Sequence, residues 1–159
     1  MLRDVKRETG FKLMARIMAL DVGEKTIGVA VTDETGTIAL PLTTLHRQGR
    51  KQDMGAIRAL VAEHAVSRLV VGLPLTMDGE RGVQTDTVEA FVRTLRGYVR
   101  IPIDFEDERL TTWEAEQVLR QRGLRKDEIK QTVDSLAASL ILQAFLESSK
   151  IATAPEEAL

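Results

Sequence analysis

The chain has 159 residues and 43% hydrophobic content, which suffices for one domain with an ordinary core and leaves no room for a second. Lysine and arginine number 22 against 24 acidic residues, so overall charge marks neither a nucleic-acid binder nor a membrane-surface protein, and such a role must come from local clustering. The absence of cysteine excludes disulfides, thiolate metal sites and cysteine nucleophiles.

The opening stretch, MLRDVKRETGFKLMARIM, lacks the apolar core of a signal peptide. The longest apolar stretch, near residues 136 to 146, is too short and interrupted to cross a bilayer. A cytoplasmic protein is expected. Residues 16 to 21 read as a strand of near-continuous apolar character, covered on both faces and ending in Asp21. A buried, unpaired charge there would be costly, so Asp21 points into a wet cleft, caps a turn or meets a cation.

Residues 26 to 32 (TIGVAVT) form a second strand and 37 to 45 a third, with DETG between them as a hairpin turn. After the basic run HRQGRK, residues Met54, Ile57, Leu60 and Val61 recur at helical spacing. RLVVGLP is a short buried strand, and the glycine-punctuated loop LTMDGERG follows it. Val88, Phe91, Val92 and Leu95 mark another helix, and IPIDFED a fifth strand. LTTWEAEQVL opens a helix with a capping box from Thr111 to Glu114, stopped by Gly123. A long final helix runs from about residue 127 to about 148, before a loose tail.

The order β β β α β α β α α predicts an α/β fold with a mixed five-stranded sheet and helices on both faces. Its opening strands pair through tight turns, and the later ones are parallel through right-handed crossovers. Ligands gather at the carboxyl ends of parallel strands. Asp21 ends the first strand and the acidic run DFEDER ends the fifth, so Asp21 is expected near Glu106, Asp107 or Glu108. On the final helix Asp134 falls at ~140° from Ile129, between Ile141 and Phe145, on the margin of the apolar face. Converging carboxylates need a proton or a hard divalent cation. Each acid also has an ordinary reading: a turn former at Asp21, a solvated loop for the acidic run, and an ion pair of Asp134 with Lys130.

The segments IMALDVGEKTIGVAVTD, RLVVGLPLTMDGERG, DERLTTWEAEQVL and VDSLAASLILQAFLE together resemble the YqgF/RuvX family of Holliday junction resolvases and pre-16S rRNA nucleases. The resemblance covers about residues 15 to 147 and divides the chain into an N-terminal extension (1–14), a nuclease domain (15–150) and a flexible tail (151–159). It implies an RNase H-like fold. Carried over by motif, the catalytic and metal-binding acids are Asp21, Glu108 and Asp134, with Glu106 and Asp107 as alternatives to Glu108. The implied chemistry is phosphodiester hydrolysis with two Mg²⁺ or Mn²⁺ ions, which needs no histidine base. His46 and His64 lie outside these motifs.

Lys25 and Arg109 adjoin the implied ligands and would stabilise phosphate charge or form ordinary salt bridges. Arg47, Arg50 and Lys51 form either a nucleic-acid backbone track or a solvated loop. Trp113 reads as packing rather than as a base-stacking platform. The implied function is maturation of pre-16S rRNA ends, with resolution of four-way DNA junctions as the alternative; the first needs a monomer, the second a homodimer. A binding module without turnover is a third reading. An actin-like ATPase shares the aspartate, glycine and hairpin, but such proteins close two domains around a nucleotide, and the spacing around GEKT is not that of a Walker loop.

Overall fold

In the computed structural model the described residues are 16–75, 78–108, 117, 120–121, 123 and 125–157. The N-terminal extension, Arg109 and most of the helix expected from Thr111, Trp113 included, lie outside them. The elements are β1 (Arg16–Val22), β2 (Thr26–Thr32), β3 (Ala39–His46), α1 (Arg50–Glu63), β4 (Val66–Leu73), α2 (Val83–Leu95), β5 (Ile103–Asp107) and α3 (Lys126–Glu157). The strands form one mixed sheet in the order β3-β2-β1-β4-β5. The pairs β3/β2 and β2/β1 are antiparallel, whereas β1/β4 and β4/β5 are parallel.

Alternation along the strands sorts large from small side chains. Met18, Leu20, Ile27, Val29, Leu69 and Val71 face α1 and α2, where they meet Met54, Ile57, Val88 and Phe91. On the opposite face the buried apolar residues of the inner strands are the smaller Ala19, Ala30 and Val70, against Ala138, Ile141 and Leu142 of α3. Burying each Val, Leu or Ile contributes roughly 1.5–3 kcal/mol. The small residues let α3 lie close to the sheet.

Two boundaries differ from expectation. The third strand starts at Ala39, because the Asp33 carboxylate accepts the backbone N–H groups of Thr37 (3.0 Å) and Ile38 (3.1 Å) and keeps them in the turn. Gly36 completes that turn at φ +73°. The last helix continues to Glu157, past the expected end near residue 148 and through most of the expected tail. The Ser148 and Ser149 hydroxyls donate back to the carbonyls of Ala144 (2.6 Å) and Phe145 (2.9 Å), so both serines are accommodated inside the helix and do not cap it. The ends of the glycine-punctuated loop are pinned to α2: Thr85 donates to the Pro74 carbonyl (2.5 Å), and Arg81 pairs with Asp86 (2.7 Å) and Glu89 (2.5 Å).

Candidate active site

Asp21 is the sixth residue of β1 and, two beyond Ala19, points to the α3 side of the sheet. Its antiparallel partner on β2 is Gly28. On the other flank Leu20 pairs with Val71, which brings the next residue of β4, Gly72, beside Asp21. The carboxylate therefore stands between two positions without side chains.

Both gaps are filled by acidic residues. A Cβ on Gly28 would lie 2.0 Å from the carbonyl oxygen of Asp134 and 3.0 Å from its Cβ, so α3 crosses β2 in contact with bare backbone. A Cβ on Gly72 would lie 2.6 Å from Glu108 Oε2 and 2.6 Å from Ile141 Cδ1. Glycine inside a strand marks such close approach. Chain positions 21, 108 and 134 come to the same edge of the sheet because β2 and β4, the two neighbours of β1, each carry a glycine gap at this level.

Glu108 follows β5 directly, and its N–H reaches the Leu73 carbonyl at 3.3 Å, one step beyond the last ladder pair of β4 and β5, Leu73 with Asp107. Its side chain hydrogen-bonds that of Asp21. Of the three acids left open in DFEDER, it is Glu108 that reaches Asp21. Glu106 instead bonds Ser148 on α3, and Asp107 is exposed at the strand end. Asp134 accepts a 2.5 Å hydrogen bond from Thr26 Oγ1. Thr26 opens β2, and its carbonyl accepts the Gly23 N–H (2.8 Å), which closes the turn after Asp21.

Burial pushes the Glu108 carboxyl up to about 9, with the charge of Asp21 and the hydrogen bond to it acting in the same direction. Asp21 is also raised, by burial first and by the charge of Asp134, while its bond from Glu108 opposes the rise. At neutral pH the pair therefore keeps a proton, with Glu108 donating to the Asp21 carboxylate. Two half-buried carboxyl groups in contact need a proton or a cation between them. Among the described residues no three acidic or histidine side chains close on one point as a finished metal site. Asp134 is turned to Thr26, and Glu108 to Asp21. The donors are all carboxylate oxygens, the set suited to Mg²⁺ or Mn²⁺, and a cation held by them would neutralise the charge that a shared proton otherwise relieves.

The basic residues separate into two kinds. Lys25, Arg50 and Lys51 are exposed, and among the described residues none makes an ion pair. Arg47 is held in place. Its Nε donates to Asp53 (3.3 Å), its Nη1 to the Gly23 carbonyl (3.0 Å), and its guanidinium carbon lies 5.3 Å from the Phe91 ring centroid. Arg47, Gly23, Val88 and Glu108 line a cleft of about 330 Å³. Thr26, Gly28 and Gly72 were not among the expected site residues. For the glycines the signal was an interruption of the β-branched runs TIGVAV and VVGL.

Residues 15–148 match the RuvX Holliday junction resolvase family. The chain belongs to that family. A RuvX relative from Chloroflexus aurantiacus, provisionally named a pre-16S rRNA nuclease, is 48% identical over 134 residues, covering 84% of this chain and 88% of its own. A second, from Thermoanaerobacter pseudethanolicus and named likewise, is 47% identical over 136 residues, covering 85% and 98%. Among solved structures, Thermus thermophilus RuvC bound to a Holliday junction superposes with a TM-score of 0.51 at 14% identity, covering 86% of this chain and 96% of that one. The fowlpox virus resolvase bound to junction DNA gives 0.50 at 11%, covering 84% and 98%. Together with the strand order, these likenesses give this RuvX chain an RNase H-like fold.

Proposed function

We propose that this chain is a divalent-metal-dependent nuclease that acts in the cytoplasm on structured nucleic acid, with the ends of precursor 16S rRNA as its substrate. The observation that carries the reading is the contact of Asp21 with Glu108 at the carboxyl edge of the parallel strands, in a chain of the RuvX family. In this reading Asp21, Glu108 and Asp134 hold Mg²⁺ or Mn²⁺, two ions being the expected number. When bound, the metal supplies Lewis acidity to the scissile phosphate and lowers the pKa of an attacking water. The chain's own groups do the rest. Glu108 would release its proton on holding the cation, Thr26 orients Asp134, and the turn at Gly23 follows directly on Asp21. No helix of the described residues is long and apolar enough to cross a membrane.

The names carried by the 48% and 47% identical relatives favour precursor rRNA over junction DNA. Resolution of a four-way junction remains the second reading, favoured by the family description, and it requires a homodimer where end trimming needs one chain. The test is cleavage of precursor 16S rRNA and of junction DNA by wild type and Asp21→Asn, with Mn²⁺. RNA cleavage by wild type alone supports the proposal. Junction cleavage alone, with a dimer on sizing, would replace it by the second reading. Equal binding with no cleavage by either protein would leave a binding module.

A further inference from the structure

The cleft beside Glu108 does not end at Arg47. A second cleft, of about 490 Å³, continues from it between α1 and α2, lined by Arg50, Phe91 and Thr94. Glu24, Arg47 and Thr87 border both, so the two form one groove that starts at Glu108 and runs along the helices. Arg47 stands at the junction. Its carboxylate partner Asp53 is only 5% exposed and also accepts the Gln48 N–H (2.9 Å), so that charge is neutralised inside the wall. The Arg47 N–H bonds the Lys25 carbonyl at 2.9 Å, which fixes the backbone as well.

Nε and one Nη1 hydrogen of the guanidinium are used by Asp53 and Gly23. Among the described residues its remaining three N–H donors have no partner. A guanidinium held against an aromatic ring also offers a flat outer face on which a base stacks. Pre-organisation of this kind lowers the ordering cost of binding. The exposed Glu24 on the rim is screened by solvent, whereas Arg47 is part of the wall.

We propose that the groove between α1 and α2 seats a single strand of nucleic acid on one side of the cleavage point, with Arg47 as its fixed phosphate contact. The contacts favour a strand over a duplex: two clefts that join at Arg47 track one backbone, and the guanidinium face stacks only on an unpaired base. The inference rests on the nuclease reading for its direction, and it deepens that reading by naming unpaired strand as what the enzyme holds next to the cut.

The test measures binding apart from cleavage. Fluorescence anisotropy with a labelled 12-nucleotide single-stranded RNA, and with the matching duplex, is run without divalent metal on wild type, Arg47→Gln, Ala90→Glu and Ala90→Lys. Ala90 is an exposed residue of α2 lining the second cleft, away from the acids and from the tethers of Arg47, so both of its variants fold. Wild type should prefer the strand to the duplex. Arg47→Gln should weaken strand binding about tenfold and reduce the salt slope by ~0.7, the share of one single-strand phosphate. Ala90→Glu should weaken and Ala90→Lys strengthen binding, severalfold in opposite directions. Identical binding by both Ala90 variants, or preference for the duplex, would overturn the groove. Strand binding that follows these signs in a protein that cuts nothing would keep the groove and overturn the nuclease.

Discussion

The backbone of Asp134 rests on Gly28: a Cβ at that glycine would meet the Asp134 carbonyl oxygen at 2.0 Å. Backbone of a long, packed helix does not yield as a side-chain tip does. Gly28→Ala should therefore lift α3 from β2, cost about 1–3 kcal/mol in denaturant unfolding, and carry Asp134 away from Asp21. Nuclease activity should fall more than stability accounts for. Wild-type stability in the alanine variant would show that α3 has room to shift.

Gly72 gives the contrasting case. A Cβ there meets the flexible ends of Glu108 and Ile141, both at 2.6 Å. Gly72→Ala should unfold with less loss than Gly28→Ala and still lose roughly 10- to 100-fold in kcat, because displacing a reacting group by about 1 Å costs that much. Parallel melts and single-turnover rates on the two variants separate these effects.

Thr26 holds Asp134 through one hydrogen bond that crosses 108 residues of sequence. Thr26→Val keeps the shape and removes the donor, leaving a half-buried carboxylate oxygen unsatisfied at a cost of about 1–3 kcal/mol. Thr26→Ser keeps the donor. Mn²⁺ titration should show weaker uptake in the valine variant and near-wild-type uptake in the serine variant; equal uptake in both would remove Thr26 from the site.

The proton held between Asp21 and Glu108 makes stability depend on pH in the metal-free protein. Glu108 is raised from 4.5 to about 9, so over that window the folded state binds a proton that the unfolded state has released. Stability from this group is complete below about pH 4.5 and is lost as pH rises toward 9. Thermal melts in EDTA should fall across that range, and Glu108→Gln should flatten the fall. Mg²⁺ should raise the melting temperature more at pH 8.5 than at pH 5.5, since above neutrality it replaces a proton already leaving.

Much of the frame was legible because apolar runs and turn residues are local signals. IMAL before Asp21 and TIGVAVT gave β1 and β2 nearly to the residue, and the helical margin at Asp134 pointed it toward the sheet. Choosing Glu108 over Glu106 and Asp107 was beyond periodicity alone, since Glu106 and Glu108 share a parity and only the depth of Gly72 and the position of Ser148 divide them. The role of Arg47 was hidden for a similar reason. HRQGRK reads as a solvated basic loop until the chain folds and brings Asp53, Gly23 and Phe91 around one of its cations.

Because the acids at positions 21, 108 and 134 lie on separate elements, the last of them on the final helix, ribosomal synthesis produces Asp21 long before its neighbours. A nascent chain halted before α3 has emerged carries an incomplete carboxylate set, with β2 uncovered at Gly28. On the proposed nuclease reading such a chain would be inert until α3 has docked, and truncated products released from stalled translation would leave the RNA around them intact.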